Sequence, residues 1–407
     1  PATGGQRASP TMHYQVAENH GFTDIADFVV LDEDGSVSLP VEGGAQLVPA
    51  EAGAGLSLPC RAAVLVDQGT GTVLYEKDAD RQMPIASITK VMTLLLTFEA
   101  LHNGQLTLDT PVPVSEHAAS MGGSQVWLEP GEHFTLDEML RAICVSSAND
   151  AAVAVAELVG GSEEAFVARM NAKAAELGMT GTTFKNACGL DTEGHLSTAR
   201  DVAVMSRAIL RECPEVLHYS GIWTDTLRGG ETMLVNTNKL LRRYEGITGL
   251  KTGTTGGAGV CISASASRDG LDLIAVVLGS DSSAERFDSA TRLLDYGFAN
   301  YEAAPLPDLS GRPLYLDVTG SDGFDVPLDY SALPERLLVP RGGASALTAS
   351  VELPGAVPAP LSRGDEVGTV TIAANGTPVG SWPICAAAGA APLDFDAAVR
   401  LMLESLL

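Results

Sequence analysis

The sequence predicts an α/β (α+β) catalytic-sized domain, a sheet flanked by helices, followed by a small all-β domain. Three observations predict it. Strand-like patterns lie at both ends of the stretch from Ala62 to Tyr301 with helical patterns between them, so the sheet must be assembled from distant segments. Beyond Pro305 the composition shifts to short β-like runs separated by Pro, Gly and Asp. A length of 407 residues suits one large unit plus a smaller one.

Residues 1–58 mix Gly, Pro, Ala and acidic residues, and only Phe28-Val29-Val30-Leu31 looks strand-like, so they read as an N-terminal extension without an assigned role. The main domain spans 59–304. It opens on a hairpin, Ala63–Val66 and Thr72–Tyr75 around the turn Asp67-Gln68-Gly69-Thr70-Gly71. A helix follows Pro84 from about Ser87, apolar on nearly every side and therefore interior. Thr135-Leu136-Asp137-Glu138 is a capping-box sequence for a short helix ending near Cys144. Further helices run from Asn149 to Val159, closed by Gly160-Gly161, from Ser162 to Leu177, and from Ser197 to about Arg211. Strand patterns return at 232–235, 249–254, 260–266 and 271–278, and a closing helix covers roughly 284–301. Residues 305–390 form the β-rich unit, with strands expected at 313–316, 347–353 and 368–372. The last stretch, 391–407, is an amphipathic helix candidate; membrane-surface contact is weakened because only Arg400 is basic against Asp394, Asp396 and Glu404.

Fifty-one acidic against 25 basic side chains give a net charge of −26, which repels phosphate backbones and excludes nucleic acid as a partner. No run approaches the roughly 20 apolar residues that a membrane-crossing helix needs. The start at Pro1 shows no basic or apolar leader, so the compartment is not legible there. Cys60, Cys144, Cys188, Cys213, Cys261 and Cys385 are scattered at wide spacings, unlike a disulfide framework or a zinc site; most read as small core residues. The histidines lack metal-ligand spacing, so neither metal nor cofactor is expected.

Three short motifs carry the chemistry. In Ser87-Ile88-Thr89-Lys90 a spacing of three puts hydroxyl and amine on one helical face, and the helix N-terminus offers free N–H groups to an oxyanion. Lys90 sits among Val91, Met92 and Leu94, an apolar setting that needs a reason. Ser147-Ala148-Asn149 occupies the turn between two helices, where Ser and Asn are also ordinary caps. Lys251-Thr252-Gly253-Thr254-Thr255 places a cation, hydroxyls and backbone N–H groups on a strand that ends in a Gly-rich turn. Each alone is common. Together and in this order, 60 and 104 residues apart along the chain, they match the signature set Ser-x-x-Lys, Ser-x-Asn and Lys-Thr-Gly of penicillin-recognising serine enzymes.

With these motifs the chain resembles a low-molecular-mass penicillin-binding protein of the D-alanyl-D-alanine carboxypeptidase family over roughly residues 58–390. Flanking segments carry the same likeness: Pro84-Ile85-Ala86, Asp150-Ala151-Ala152, Phe184-Lys185-Asn186, Gly189-Leu190-Asp191, His195–Asp201 and Leu293–Phe298. The resemblance implies a β-lactamase/transpeptidase-like domain with an antiparallel sheet flanked by helices, and a small C-terminal β domain. It implies that Ser87 attacks the penultimate D-Ala carbonyl of peptidoglycan stem peptides ending in D-Ala-D-Ala, and that β-lactam antibiotics acylate the same serine. Lys90 is expected as general base. An unperturbed lysine is neutral only about 0.04% of the time at pH 7, so burial and the Lys251 charge must depress its pKa. Ser147 relays a proton to the leaving amine, Lys251 orients it, and Asn149 bonds Lys90 or the substrate amide. Thr252, Gly253 and Thr254 bind substrate, with the N–H groups of Ser87 and Thr254 as oxyanion hole. An arginine that some relatives carry upstream of the third motif has no counterpart here, since Thr237 and Asn238 stand in that place. His195 reads as structural. The substrate implies an extracytoplasmic location.

Three rival readings share parts of this pattern. A β-lactamase would need a deacylating Glu in a Glu-x-x-Leu-Asn context, which is absent; Glu193 lies in the loop without it. An endopeptidase would use the same residues on cross-links, and an inactive cell-wall binding protein would form no covalent adduct at Ser87.

Overall fold

The computed structural model describes residues 56–321 and 325–394, together with Val30–Leu31, Val37–Ser38 and Val399. Of the N-terminal extension, Val30–Leu31 and Val37–Ser38 pair as a short antiparallel ribbon. The C-terminal helix expected over 391–407 falls, apart from residues 391–394 and 399, outside the described residues.

The first hairpin is β1 (Ala62–Asp67) and β2 (Val73–Lys77). The polypeptide then makes a 3-10 turn over Ala86–Thr89 and enters α1 (Lys90–His102). The helix therefore starts three residues later than expected, and Ser87 belongs to the tighter turn; Ala86, at φ 50°, turns the chain into it. Helices α2 (Leu136–Val145), α3 (Asn149–Gly160), α4 (Glu163–Glu176) and α5 (Ala199–Glu212) follow. Their ends obey the capping chemistry in the sequence. Thr135 and Glu138 close a capping box on α2, Ser162 and Thr198 cap α4 and α5, and Gly161 ends α3 at φ 80°. The chain returns to the sheet as β3 (Ile247–Thr255), β4 (Gly259–Arg268) and β5 (Leu271–Ser280), and closes with α6 (Ser283–Asn300).

The sheet is antiparallel in the order β2-β1-β5-β4-β3, so the first hairpin docks on the last strand made. Both faces are covered, which is why β1 is buried at every position instead of alternating. Ala62, Val64 and Val66 of β1 with Ile274, Val276 and Leu278 of β5 pack against α1 to α5. Ala63 and Leu65 with Leu273, Ala275 and Val277 pack on the other face against Phe287, Ala290, Leu293, Leu294 and Phe298 of α6. Helix α1 lies inside the helical layer, buried from Lys90 to Phe98, as its all-round apolar sequence requires.

After α6, β6 (Tyr301–Pro305) leads into strands β7 (Tyr315–Thr319), β8 (Asp325–Asp329), β9 (Arg336–Pro340), β10 (Leu347–Glu352), β11 (Ala356–Pro358), β12 (Glu366–Ala374) and β13 (Thr377–Ala386). Six of them form one sheet, β10-β12-β13-β8-β7-β11, over a core that includes Val370, Ile372, Trp382 and Ile384. Strand β6 pairs with β9, so the segment leaving α6 is held by the β-rich unit. All six cysteines are free, and no described helix is long and apolar enough to cross a membrane.

Candidate active site

The three motifs converge. Ser87 lies in the turn before α1, partly accessible, with Lys90 one turn on. Residues three apart nearly eclipse in a 3-10 turn, and Lys90 Nζ reaches Ser87 Oγ at 2.9 Å. The same amine donates to Asn149 Oδ1 at 2.6 Å and to the Cys188 carbonyl at 2.7 Å, so all three of its hydrogens are directed. Lys90 is fully buried, and desolvation lowers its pKa to about 8.

Ser147 forms the apex between α2 and α3 at φ 60°, a left-handed conformation that costs a non-glycine residue of order 1 kcal/mol or more. Its hydroxyl accepts from Lys251 Nζ at 2.9 Å. Lys251 is 1% exposed and also donates to the Thr252 carbonyl. Burial, helped by the nearby Lys90 charge, holds its pKa well below the ordinary lysine value. Asn149 is not the cap of its helix; Ala148 occupies that position. Its side chain instead bridges Lys90 to the Gly122 carbonyl at 2.7 Å.

Strand β3 passes so close to the Ser87 turn that no side chain fits at Gly253. A Cβ there would stand 2.9 Å from Ile85 O and from Ser87 N. Behind the turn, Gly189 is tighter still, its Cβ position 1.9 Å from the Ala86 carbonyl oxygen. Thr252 Oγ1 donates to Thr237 Oγ1, and Thr254 is exposed beside the turn.

One residue here was not picked out from the sequence. Arg286, on α6 and 6% exposed, reaches behind β3 to the Gly253 and Cys261 carbonyls, with Nη1 3.4 Å from Thr254 Oγ1. Among the described residues it meets no carboxylate and its Nε has no hydrogen-bond partner, and burial lowers its pKa to about 10. The signal was an arginine in helical phase with Ala290 and Leu293, on the face the helix buries. A cation therefore does lie at the third motif, supplied from downstream where upstream residues lacked it.

His195 is buried behind the turn. The Lys185 N–H donates to Nδ1, which assigns the ring proton to Nε2, 2.8 Å from Thr89 Oγ1. Glu193 is exposed, and among the described residues no glutamate bonds Ser87, Lys90 or Asn149. His102, Cys213 and Glu215 approach one another at the far end of α1 from Lys90, a grouping that spacing did not suggest.

The family model for D-alanyl-D-alanine carboxypeptidase matches residues 50–282, and that for the penicillin-binding protein 5 C-terminal domain matches residues 331–390. The D-alanyl-D-alanine carboxypeptidase DacF of Bacillus subtilis is 40% identical over 335 residues, 81% of this chain and 86% of that protein. Penicillin-binding protein 5 from Haemophilus influenzae has a similar structure, with a TM-score of 0.74 at 28% identity over 83% of this chain and 98% of that one. Penicillin-binding protein D2 from Listeria monocytogenes in its ampicillin-bound form gives a TM-score of 0.55 at 34% identity, covering 60% of this chain and 99% of its own. With a family model spanning more than half its length and a close relative aligned across most of it, the chain belongs to the D-alanyl-D-alanine carboxypeptidase family.

Proposed function

We propose that this protein is a serine D-alanyl-D-alanine carboxypeptidase that removes the terminal D-Ala from peptidoglycan stem pentapeptides, and that β-lactams acylate it at the same serine. The observation that carries the reading is the fully buried Lys90 amine, 2.9 Å from an accessible Ser87 hydroxyl. A pKa of about 8 leaves roughly a tenth of the amine neutral at pH 7, about two hundred times the fraction in an unperturbed lysine. The neutral amine takes the Ser87 proton as Oγ attacks the penultimate D-Ala carbonyl. Asn149 and the Cys188 carbonyl hold the amine in place for that step.

The oxyanion meets the backbone N–H groups of Ser87 and Thr254, a role supported by the close approach of Gly253 to Ser87 N. Ser147 gives its proton to the departing D-Ala nitrogen and takes one back from Lys251, whose amine donates to its hydroxyl, while the proton taken from Ser87 stays on Lys90 until deacylation returns it to Ser87 Oγ. The terminal carboxylate is received by the Thr252 and Thr254 hydroxyls, which swing to it from Thr237 Oγ1 and the Gly253 carbonyl, with Arg286 supplying positive charge behind Thr254. Water then cleaves the ester and restores Ser87. Among the described residues no glutamate bonds Ser87 or Lys90, which favours a peptidase that deacylates slowly from penicillin over a β-lactamase. The substrate lies outside the cytoplasmic membrane, and so should the enzyme.

Incubation with benzylpenicillin followed by intact mass spectrometry should add one penicilloyl group, absent in Ser87→Ala. A D-Ala-D-Ala peptide should release one D-Ala per chain. No adduct together with no D-Ala release would overturn the reading, and rapid drug hydrolysis without an adduct would indicate a β-lactamase.

A further inference from the structure

Next to Asn149 the structure holds an exposed tryptophan under backbone strain. Trp127 is 76% exposed and sits at φ 57°, a conformation that costs a bulky side chain free energy and persists only when its surroundings enforce it. They do so from both sides. The buried Asp150 carboxylate accepts from the N–H groups of Val126 and Leu128 at 3.1 Å each. The Arg228 guanidinium donates to the Val126 and Trp127 carbonyls at 2.9 and 3.0 Å, and is itself held by Glu132. Val126 and Leu128 turn inward, 2% and 4% exposed, so the indole between them is turned out to solvent.

The same loop is fastened to the catalytic constellation. Ser124 O accepts from Asn149 N, and Gly122 O from Asn149 Nδ2, both at 2.7 Å. Ser87 thus has strand β3 on one side, through Gly253, and this loop on the other, through Lys90 and Asn149. Arg228 also bonds Thr232 Oγ1, which brings in the strand carrying Met233, 71% exposed. An exposed aromatic face carried on a backbone fixed by these bonds is apolar contact area with only two side-chain torsions left to order.

We infer that Trp127 is a specificity residue of the carboxypeptidase, packing against a long aliphatic side chain on the residue that precedes D-Ala-D-Ala in the substrate. The inference rests on the proposed function, because a carboxylate held at Thr254 and Arg286 leaves the preceding residue to cross toward the Asn149 wall. The contact lies outside the bond-making atoms. Its loss therefore acts through that one side chain and leaves the chemistry of Ser87 unchanged.

The test compares kcat/KM for Nα,Nε-diacetyl-L-Lys-D-Ala-D-Ala and N-acetyl-Gly-D-Ala-D-Ala in wild type, Trp127→Ala and Trp127→Phe. Wild type should prefer the lysyl peptide by about tenfold, the scale of one good aromatic contact. Trp127→Ala should shrink that preference to within about twofold while the glycyl peptide is cleaved as before, and Trp127→Phe should restore much of it. An unchanged preference in Trp127→Ala overturns the inference, as does an equal loss on both peptides in Trp127→Ala and Trp127→Phe, which would mark a structural role. Wild type that cleaves neither peptide sinks the carboxypeptidase reading along with it.

Discussion

His195 is enclosed behind the Ser87 turn, 3% exposed, and desolvation lowers its pKa to about 4. The unfolded chain binds its proton near pH 6.5, so the fold holds the ring neutral and loses stability when it must charge. That contribution is complete above pH 6.5 and disappears as pH falls through 4. The expected loss is roughly 3 kcal/mol from this residue alone. Urea midpoints measured from pH 7 to 4 should fall less steeply in His195→Gln than in wild type; parallel slopes would exclude the histidine as the source. The same residue shows what could be read in advance. It reads as structural because it lies outside all three catalytic motifs, and its hydrogen bonds run to Thr89 and Lys185 and not to Ser87 or Lys90. The bridging role of Asn149 was not legible, since Asn at the head of a helix is ordinarily a cap and only the tertiary position of Lys90 redirects the side chain. Arg286 escaped because its buried setting is set by a strand 33 residues upstream.

Among the elements, the Ser87 turn and β3 are fitted to each other through the missing side chain of Gly253. Gly253→Ala would place a methyl group against two backbone atoms, Ile85 O and Ser87 N, neither able to swing aside. Penicillin acylation should fall by about a hundredfold or more, as displacements near an ångström at a reacting centre do, with little change in circular dichroism. Retained acylation would show that the turn can shift without cost. Most elements were legible because local chemistry agreed with tertiary placement: the box at Thr135 and Glu138, the Gly161 stop, the uninterrupted apolar surface of α1. The helix start after Ser87 was misplaced because nothing local in Pro84-Ile85-Ala86 announces the positive φ of Ala86. In the C-terminal unit, β8, β9 and β13 went unread; prolines at Pro327, Pro340 and Pro383 interrupt runs whose pairing comes from distant strands.

Across the whole molecule, a net charge of −26 surrounds a site whose buried cations, Lys90, Lys251 and Arg286, would favour a carboxylate. An anionic ligand is repelled at long range and attracted only at close quarters. Raising salt from about 10 to about 150 mM should therefore increase the second-order rate of benzylpenicillin acylation, by about two- to threefold, as the outer shell is screened while the interior is not. A rate that falls with salt would place steering with the cations instead.

The strand order has a consequence for biosynthesis. Strand β3, which brings Lys251 to Ser147, is attached to β1 only through β4 and β5. A nascent chain that already contains Ser87, Lys90 and Ser147 therefore has no edge on which to seat Lys251 until Ser280 has been made. Reactivity toward β-lactams should arise all at once, late in translation, and no shorter nascent chain should be labelled.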